Sequence, residues 1–219
     1  MAPGWRYFHL VSLHSVNYGS RMTIAPLILF ITLLNCSTII AGKLDYVIRK
    51  ATPHDQENLL QLHQKVATTP GGLARSKEEI TEKYIKDLLS KGINRGIALV
   101  VEYQGKLIGS MIKYRLKPQA FSHVLTKGNL LVDPEYQGKG IGTELITSFL
   151  AEIKDNHPDI LRIEIIARES NPAIRLYGRL GFTQEGRFEK RIKGAGDTLE
   201  ADIPMVWINP NFNLHSQPN

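Results

Sequence analysis

The sequence predicts a mixed fold, α+β or mixed α/β, in which helices cover the faces of a central sheet. Apolar stripes of helical period lie near residues 56–90, short strands joined by turns follow, and a strand-helix-strand-helix-strand succession runs from about residue 122. Hairpins imply antiparallel pairing and helical crossovers imply parallel neighbours, so the sheet is mixed. The 219 residues, 42% hydrophobic and 22% charged, suit one packed domain with appendages.

Charge and cysteine content exclude some functional classes. The formal net charge is +6, but Arg6, Arg21 and Lys43 precede the first acidic residue, Asp45, and without them the excess is halved. Such a mild excess is not typical of nucleic-acid-binding proteins, so nucleic acid is not an expected partner. Cys36 is the single cysteine, which excludes an intrachain disulfide and a cysteine-based zinc site and favours a cytoplasmic protein.

The first 43 residues differ from the rest of the chain. The segment 24–41 is apolar and contains no charged residue. We expect residues 1–43 to be a hydrophobic extension outside the fold. Two alternatives stay open: a helix packed on the domain or on a partner and, less favoured, a signal or anchor that contacts a membrane. The domain is then expected at 44–208, followed by a tail at 209–219.

The first half of the domain is predicted to contain one strand and two helices. Residues 44–51 alternate apolar and polar side chains, as a strand does. The Thr52-Pro53 pair begins a helix, because threonine caps and proline suits the first turn. Ser76 caps the second helix with Glu79 at the capping-box spacing, and Gly92 ends it.

The second half is predicted to be rich in strands. Gln104-Gly105 makes a hairpin turn between the first two of them. The predicted elements are strands at 97–103, 106–116 and 122–132, a helix from Ile141 that ends at Pro158, a strand at 160–167, a helix from Asn171 to Gly181, and hairpin strands at 182–193 and 199–208.

The segment 130–150 has the layout of an anion site: a buried strand, a glycine-rich loop with Gly138, Gly140 and Gly142, and an amphipathic helix. It does not match a Walker loop, because Lys139 precedes Gly140 instead of following the last glycine. It does not match the dinucleotide fingerprint either, because the glycines are spaced G-x-G-x-G. A phosphate or pyrophosphate is nevertheless the expected ligand of these backbone N–H groups.

Two motifs resemble those of the GCN5-related N-acetyltransferase (GNAT) family. The run Gln137-Gly138-Lys139-Gly140-Ile141-Gly142, directly after a strand, is similar to the family's glycine-rich signature. Asn171, Ala173 and Tyr177, followed by Leu180-Gly181-Phe182, resemble its second motif on a short helix. The resemblance extends over residues 44–207 and implies a GNAT-like, mostly antiparallel central sheet flanked by helices.

The resemblance implies acetyl-CoA as a cosubstrate, with no metal. Its pyrophosphate is expected on the loop amides, and its pantetheine chain beside the preceding strand. A homodimer is compatible with this assignment. The expected cofactor-binding residues are Leu130, Leu131, Val132, Gln137, Gly138, Lys139, Gly140, Ile141, Gly142, Thr143, Asn171 and Tyr177.

Acyl transfer to an amine needs a neutral amine, a polarised thioester and a proton for the departing thiolate. We expect Tyr177 to supply that proton, since a phenol with a pKa near ~10 is matched to a thiol; packing is its alternative role. Glu164, between Ile163 and Ile165, is the expected base if burial raises its pKa, although it could pair with an arginine instead. Other candidates for the base are Asn129, His123, a water relay and the further carboxylates Glu102 and Asp202.

The predicted function is therefore an N-acetyltransferase that moves an acetyl group from acetyl-CoA to a primary amine of a small molecule, peptide or protein by direct attack on the thioester. The alternative is a catalytically silent acyl-CoA-binding regulatory domain of the same fold. The choice of amine is expected to depend on residues 64–90 and 188–202. Acidic side chains there, Glu200 among them, could attract a cationic amine.

Overall fold

The fold is built on two sheets that separate from a common junction. The computed structural model describes residues 44–69, 71–194 and 198–216. The strands are β1 Val47–Lys50, β2 Gly96–Tyr103, β3 Lys106–Tyr114, β4 Val124–Leu125, β5 Lys127–Val132, β6 Arg162–Arg168, β7 Thr183–Gln184, β8 Phe188–Lys193 and β9 Leu199–Ile208. The helices are α1 Gln56–Ala67, α2 Glu82–Arg95, α3 Ile141–Asn156 and α4 Ala173–Arg179.

The first sheet has the order β1-β2-β3-β5 and is antiparallel, whereas the second has the order β4-β6-β9-β7, with β8 also paired to β9. The strand predicted at 122–132 is thus two strands. Its first part, β4, pairs parallel with β6, and after Thr126 its second part, β5, pairs antiparallel with β3. Since β5 and β6 do not pair with each other in the described chain, an opening separates them.

Helix α3 packs on one face of the first sheet, and its fully buried Phe149 and Ile153 belong to one hydrophobic core with Ile163 and Ile165 of the second sheet. Helices α1 and α2 cover the opposite face of the first sheet. On β6 the alternate residues Glu164, Ile166 and Arg168 face away from the α3 core and are half-buried or exposed. The two faces of the opening therefore differ, with α3 on one side and the α1–α2 loop on the other.

The second helix differs from its prediction at both ends. It begins at Glu82, and its cap is Thr81, whose Oγ1 accepts a hydrogen bond from Tyr84 N–H at 3.2 Å. The predicted cap, Ser76, instead lies in a turn, where its N–H donates to Glu79 at 2.8 Å. Gly92 does not end the helix, which continues to Arg95; a Cβ at Gly92 would lie 2.5 Å from Ile112, so this glycine permits close packing.

The strand predicted at 182–193 is also divided, into β7 and β8. The interruption lies opposite Pro204 of β9, whose carbonyl accepts from Glu185 N–H at 3.0 Å. Proline has no N–H to return the bond, so the ladder breaks there. Asn209, the first residue of the predicted tail, is buried, and its amide donates to the Ile160 carbonyl at 2.9 Å.

No helix in the described part of the chain is long and apolar enough to cross a membrane. The apolar segment 24–41 and the whole predicted extension, 1–43, lie outside the described residues.

Candidate active site

A cleft of about 830 Å³ lies at the opening between the two sheets. Its wall comes from β5, the glycine-rich loop, the start of α3, the end of β6, α4, the α1–α2 loop and β9. The lining residues are Val66, Thr69, Gly71, Gly72, Leu130, Leu131, Val132, Tyr136, Gln137, Gly138, Gly140, Ile141, Gly142, Thr143, Arg168, Ser170, Asn171, Pro172, Ala173, Leu176, Tyr177 and Glu200.

The glycine-rich loop has a backbone that favours glycine at two positions. Gly138 and Gly140 have φ of +73° and +84°, and a Cβ built on either would meet nothing within 4 Å. The first hydrogen bond of α3 runs from Glu144 N–H to the Gly140 carbonyl at 3.1 Å. The preceding N–H groups at the helix start are therefore left for a ligand in the cleft, where the helix dipole also favours negative charge.

The edge of β5 presents further backbone groups to the opening. Asp133 N–H donates to the Ile108 carbonyl of β3 at 2.9 Å, and in an antiparallel ladder alternate residues bond to the same neighbour. The backbone groups of Leu130 and Val132 consequently point away from β3, toward the opening. Gln137 Nε2 donates to the Val132 carbonyl at 3.0 Å, so the loop is fastened to the strand end.

Tyr177 lies on α4, whose cap is Pro172 and not the predicted Asn171. Asn171 lies one residue earlier, and its Oδ1 accepts a hydrogen bond from Ala173 N–H at 2.9 Å. The Tyr177 side chain is buried, and its ring centroid lies 5.8 Å from that of Phe182. Burial raises the pKa of Tyr177 to about 12. The phenol is thus protonated at neutral pH and, at the same time, a weaker acid than the ordinary value near ~10 had suggested.

Both motifs thus line one cleft, which opens where the sheet divides. Residues 94–184 match the family model described as an acetyltransferase (GNAT) domain. The chain contains a GNAT acetyltransferase domain. The match includes the glycine-rich loop and α4, whereas α1, the α1–α2 loop, β8 and β9 lie outside it.

Relatives and solved structures agree with this family. An uncharacterised N-acetyltransferase of Methanocaldococcus jannaschii is 28% identical over 149 residues, which are 64% of this chain but 62% of that protein. The L-amino acid N-acetyltransferase of Escherichia coli is 27% identical over 161 residues, 72% of this chain and 94% of the relative. A putative acetyltransferase from Salmonella typhimurium, solved with acetyl-CoA, shares the fold with a TM-score of 0.61 at 19% identity, covering 80% of this chain and 98% of that one.

Glu164 does not have the environment expected of a base in the GNAT domain. Burial acts to raise its pKa, but hydrogen bonds from Thr126 and Arg162 outweigh burial, and the pKa is lowered. Arg162 Nε lies 2.7 Å from the Glu164 carboxylate and also pairs with Glu185. The expected rise in pKa is therefore wrong. Glu164 does not line the cleft, and it serves as the acid of an ion-pair network.

The other residues considered as the base, Asn129, His123, Glu102 and Asp202, are also absent from the cleft wall. Asn129 Nδ2 lies 3.1 Å from Nε2 of His63, a fully buried histidine on α1. Because His63 Nδ1 lies 2.7 Å from the Leu59 carbonyl, Nδ1 carries the proton and Nε2 accepts, and burial lowers the pKa of this ring. The His123 carbonyl accepts from Leu161 N–H at 3.0 Å, next to the pairing of β4 with β6.

Among the predicted loop residues, Lys139 alone does not line the cleft: its Nζ lies 4.9 Å from the centre of the Tyr136 ring. The described lining contains two charged side chains, Arg168 and Glu200. Ser170 Oγ donates to the Glu200 carboxylate. Arg168 was not predicted from the sequence as a residue of the cleft. A signal was available, because Arg168 lies four residues after Glu164 on an apolar strand and therefore shares the strand face that points away from the α3 core.

Proposed function

We propose that this chain is an acetyl-CoA-dependent N-acetyltransferase that acetylates a primary amine of a small molecule, peptide or protein by direct attack on the thioester. The observation that carries the proposal is that one cleft contains two kinds of group. The N–H groups at the start of α3 lie beside Gly138 and Gly140, which have positive φ, and the buried, protonated phenol of Tyr177 lines the same cleft. Membership in the GNAT family and the names of the relatives support this assignment.

The residues at the loop fit the pyrophosphate of acetyl-CoA. The space in front of Gly138 and Gly140, which a Cβ would fill, allows phosphate oxygens to approach the backbone, and Ile141 to Thr143 add the helix start. The outward groups of Leu130 and Val132 would bind the amide groups of the pantetheine chain in the manner of a neighbouring strand. When bound, acetyl-CoA supplies the activated thioester.

Three groups of the chain act on the acyl transfer. The Val132 N–H is placed to polarise the thioester carbonyl, because it faces the opening and is not used by β3. Glu200 accepts a proton from the acceptor ammonium, since it is the carboxylate that lines the cleft in the described chain. Tyr177 Oη donates its proton to the sulfur. After Glu200 has taken the first proton of the ammonium, the C–N bond forms and the C–S bond breaks; the nitrogen loses its second proton to water, and the thiolate receives the Tyr177 proton, which water then replaces.

The test is CoA release from acetyl-CoA with a panel of amines that includes amino acids, amino acid amides, polyamines and peptides, with mass spectrometry of the products. We expect at least one amine to be acetylated, and Tyr177→Phe to slow that reaction. Tight binding of acetyl-CoA without turnover on any amine would instead support the catalytically silent, acyl-CoA-binding alternative.

A further inference from the structure

The charged part of the cleft lies at the ends of β6 and β9. Arg168 is the last residue of β6 and stands opposite Asp202 of β9 in the strand register. Glu200 comes two residues before Asp202, so the three side chains share the outward face of the strand pair. The Cα atoms of Arg168 and Glu200 are therefore separated along the strand direction by about 7 Å. One small molecule can span a distance of this size.

Arg168 is a cation whose neighbouring carboxylates are occupied elsewhere. Asp202 pairs with Arg191 at 3.6 Å, although it stands opposite Arg168. The adjacent Glu169 pairs with Arg187 at 2.5 Å, and Glu200 accepts from Ser170. In the part of the chain that the structure describes, Arg168 forms no ion pair. Its charge is thus available to a ligand in the cleft.

The Arg168 side chain reaches across the opening toward the α1–α2 loop. Its Nη2 lies 3.5 Å from the carbonyl oxygen of Leu73, a long and weak hydrogen bond. A guanidinium has five N–H donors, and this contact uses one of them. The side chain is half-buried, so an anion that binds it is partly removed from water and held more strongly than on an open surface.

A planar guanidinium fork matches a carboxylate, which it binds with two parallel hydrogen bonds. An acceptor with a carboxylate beside its amine can place the carboxylate on Arg168 and the amine near Glu200. A polyamine or a protein lysine offers no such anion and brings further positive charge toward Arg168, which is unfavourable. The pair of charges thus selects for a zwitterion.

We propose that Arg168 binds the carboxylate of the acceptor, and that the acceptor is a free α-amino acid whose amino group lies toward Glu200. This inference rests on the proposed N-acetyltransferase function and specifies its substrate class. Arg168 thereby acts as a specificity-determining residue.

The test compares L-amino acids with their own amides, for example L-phenylalanine with L-phenylalaninamide, in a panel of side chains. We expect kcat/KM to favour the free acid by roughly 30-fold or more, and Arg168→Gln to remove most of that preference while changing the amide by less than about 3-fold. Arg168→Lys should restore part of it. The amide has the less basic amine and hence the larger neutral fraction, so amine reactivity cannot produce this preference.

Arg175→Gln is the matched control, because it removes an exposed arginine of α4 that does not line the cleft. It should leave the acid-to-amide ratio unchanged. Equal or better turnover of the amides, or an equal loss on both substrates in Arg168→Gln, would overturn the inference. A rise in the KM for acetyl-CoA with the ratio preserved would also overturn it, since Arg168 would then hold the cosubstrate.

A binding measurement separates this inference from the proposed function. Thermal shifts of the protein loaded with CoA are recorded with free amino acids and with amides, for the wild type and Arg168→Gln. If stabilisation depends on the carboxylate and on Arg168 while no amine is acetylated, carboxylate binding by Arg168 stands and the proposed function fails. If amines are acetylated without preference for a carboxylate, the function stands and the inference fails.

Discussion

The two ends of the cleft are built from different parts of the polypeptide. At the glycine-rich loop, the wall consists of backbone groups from nearly consecutive residues, 137–143, beside the edge of β5. At the other end, side chains of Arg168, Ser170 and Glu200 meet residues of the α1–α2 loop. Backbone N–H groups recognise a phosphate whatever the side chains are, whereas the far end depends on which side chains are present.

The family match covers one end of the cleft completely and the other end in part. Residues 94–184 contain the whole loop and Tyr177, and also Arg168 and Ser170, whereas Thr69 to Gly72 and Glu200 lie outside the match. A site for the donor can lie in one short segment. A site for the acceptor is assembled from distant segments, so it can change without disturbing the first. Variants at the loop should therefore abolish binding, and variants at the far end should change rate or selectivity.

The largest effect is expected from Gly140→Glu, which should weaken acetyl-CoA binding by roughly 100-fold or more. The side chain would enter the open space in front of the loop, and its charge would repel the pyrophosphate. Calorimetric titration with acetyl-CoA measures the loss. Gly105→Glu is the matched control, because Gly105 also has a positive φ, +75°, and open space, but lies in the β2–β3 turn. Unchanged affinity in folded Gly140→Glu would remove the loop from the donor site.

The next effect is on the chemical step. Tyr177→Phe should lower kcat by roughly 100-fold with little change in acetyl-CoA affinity, since the ring still packs on Phe182 and only the proton donor is lost. Steady-state kinetics with the best amine of the panel gives both numbers. Tyr114→Phe, on β3 and outside the cleft lining, should behave as the wild type. A wild-type kcat in Tyr177→Phe would reduce Tyr177 to a packing role.

The sequence predicts the structure of the glycine-rich loop better than that of the Arg168–Glu200 end of the cleft, and the reason is local geometry. Gly140 and the turn at Asn171 involve only residues close in sequence, so their pattern predicts their structure. The direction of the Glu164 pKa shift was not predicted, because its hydrogen bond to Thr126 depends on how β4 meets β6, whereas the pairing with Arg162, on the same strand, was an open alternative. The close approach of Gly92 to Ile112 likewise joins residues on separate elements. Long-range contacts of this kind have no signature in a single segment.

At the acceptor end, Glu200→Gln should lower kcat/KM at neutral pH by about 10-fold, a smaller loss because water can also take the proton of the amine. The loss should shrink as pH rises toward the pKa of the amine, where the neutral form no longer needs a base. A pH profile of kcat/KM for the wild type and Glu200→Gln tests this expectation. A loss that stays constant with pH would show that Glu200 orients the acceptor without accepting its proton.

The smallest effect on activity is expected at the junction from which both ends open. Lys113 is buried there on β3, and its Nζ donates to the carbonyl oxygens of Glu164 and Thr126 at 2.7 and 3.4 Å. Burial lowers its pKa from 10.5 to about 8, with opposing effects of the nearby Glu164 and Lys127 charges. Between these two values the unfolded chain binds more protons than the folded one, so stability should rise with pH over about 8 to 10.5.

Lys113→Met should abolish this rise in the free energy of unfolding, which for a pKa shift of that size is on the order of 3 kcal/mol. The cost of the substitution at neutral pH is reduced, because the buried charge is removed together with its two hydrogen bonds. Denaturant unfolding of both proteins across this range isolates Lys113, since the raised pKa values of Tyr46 and Tyr177 affect both proteins alike. Equal pH slopes would mean that Lys113 keeps its ordinary pKa in the fold. Because Lys113 does not line the cleft, a folded Lys113→Met protein should retain both acetyl-CoA affinity and acceptor preference.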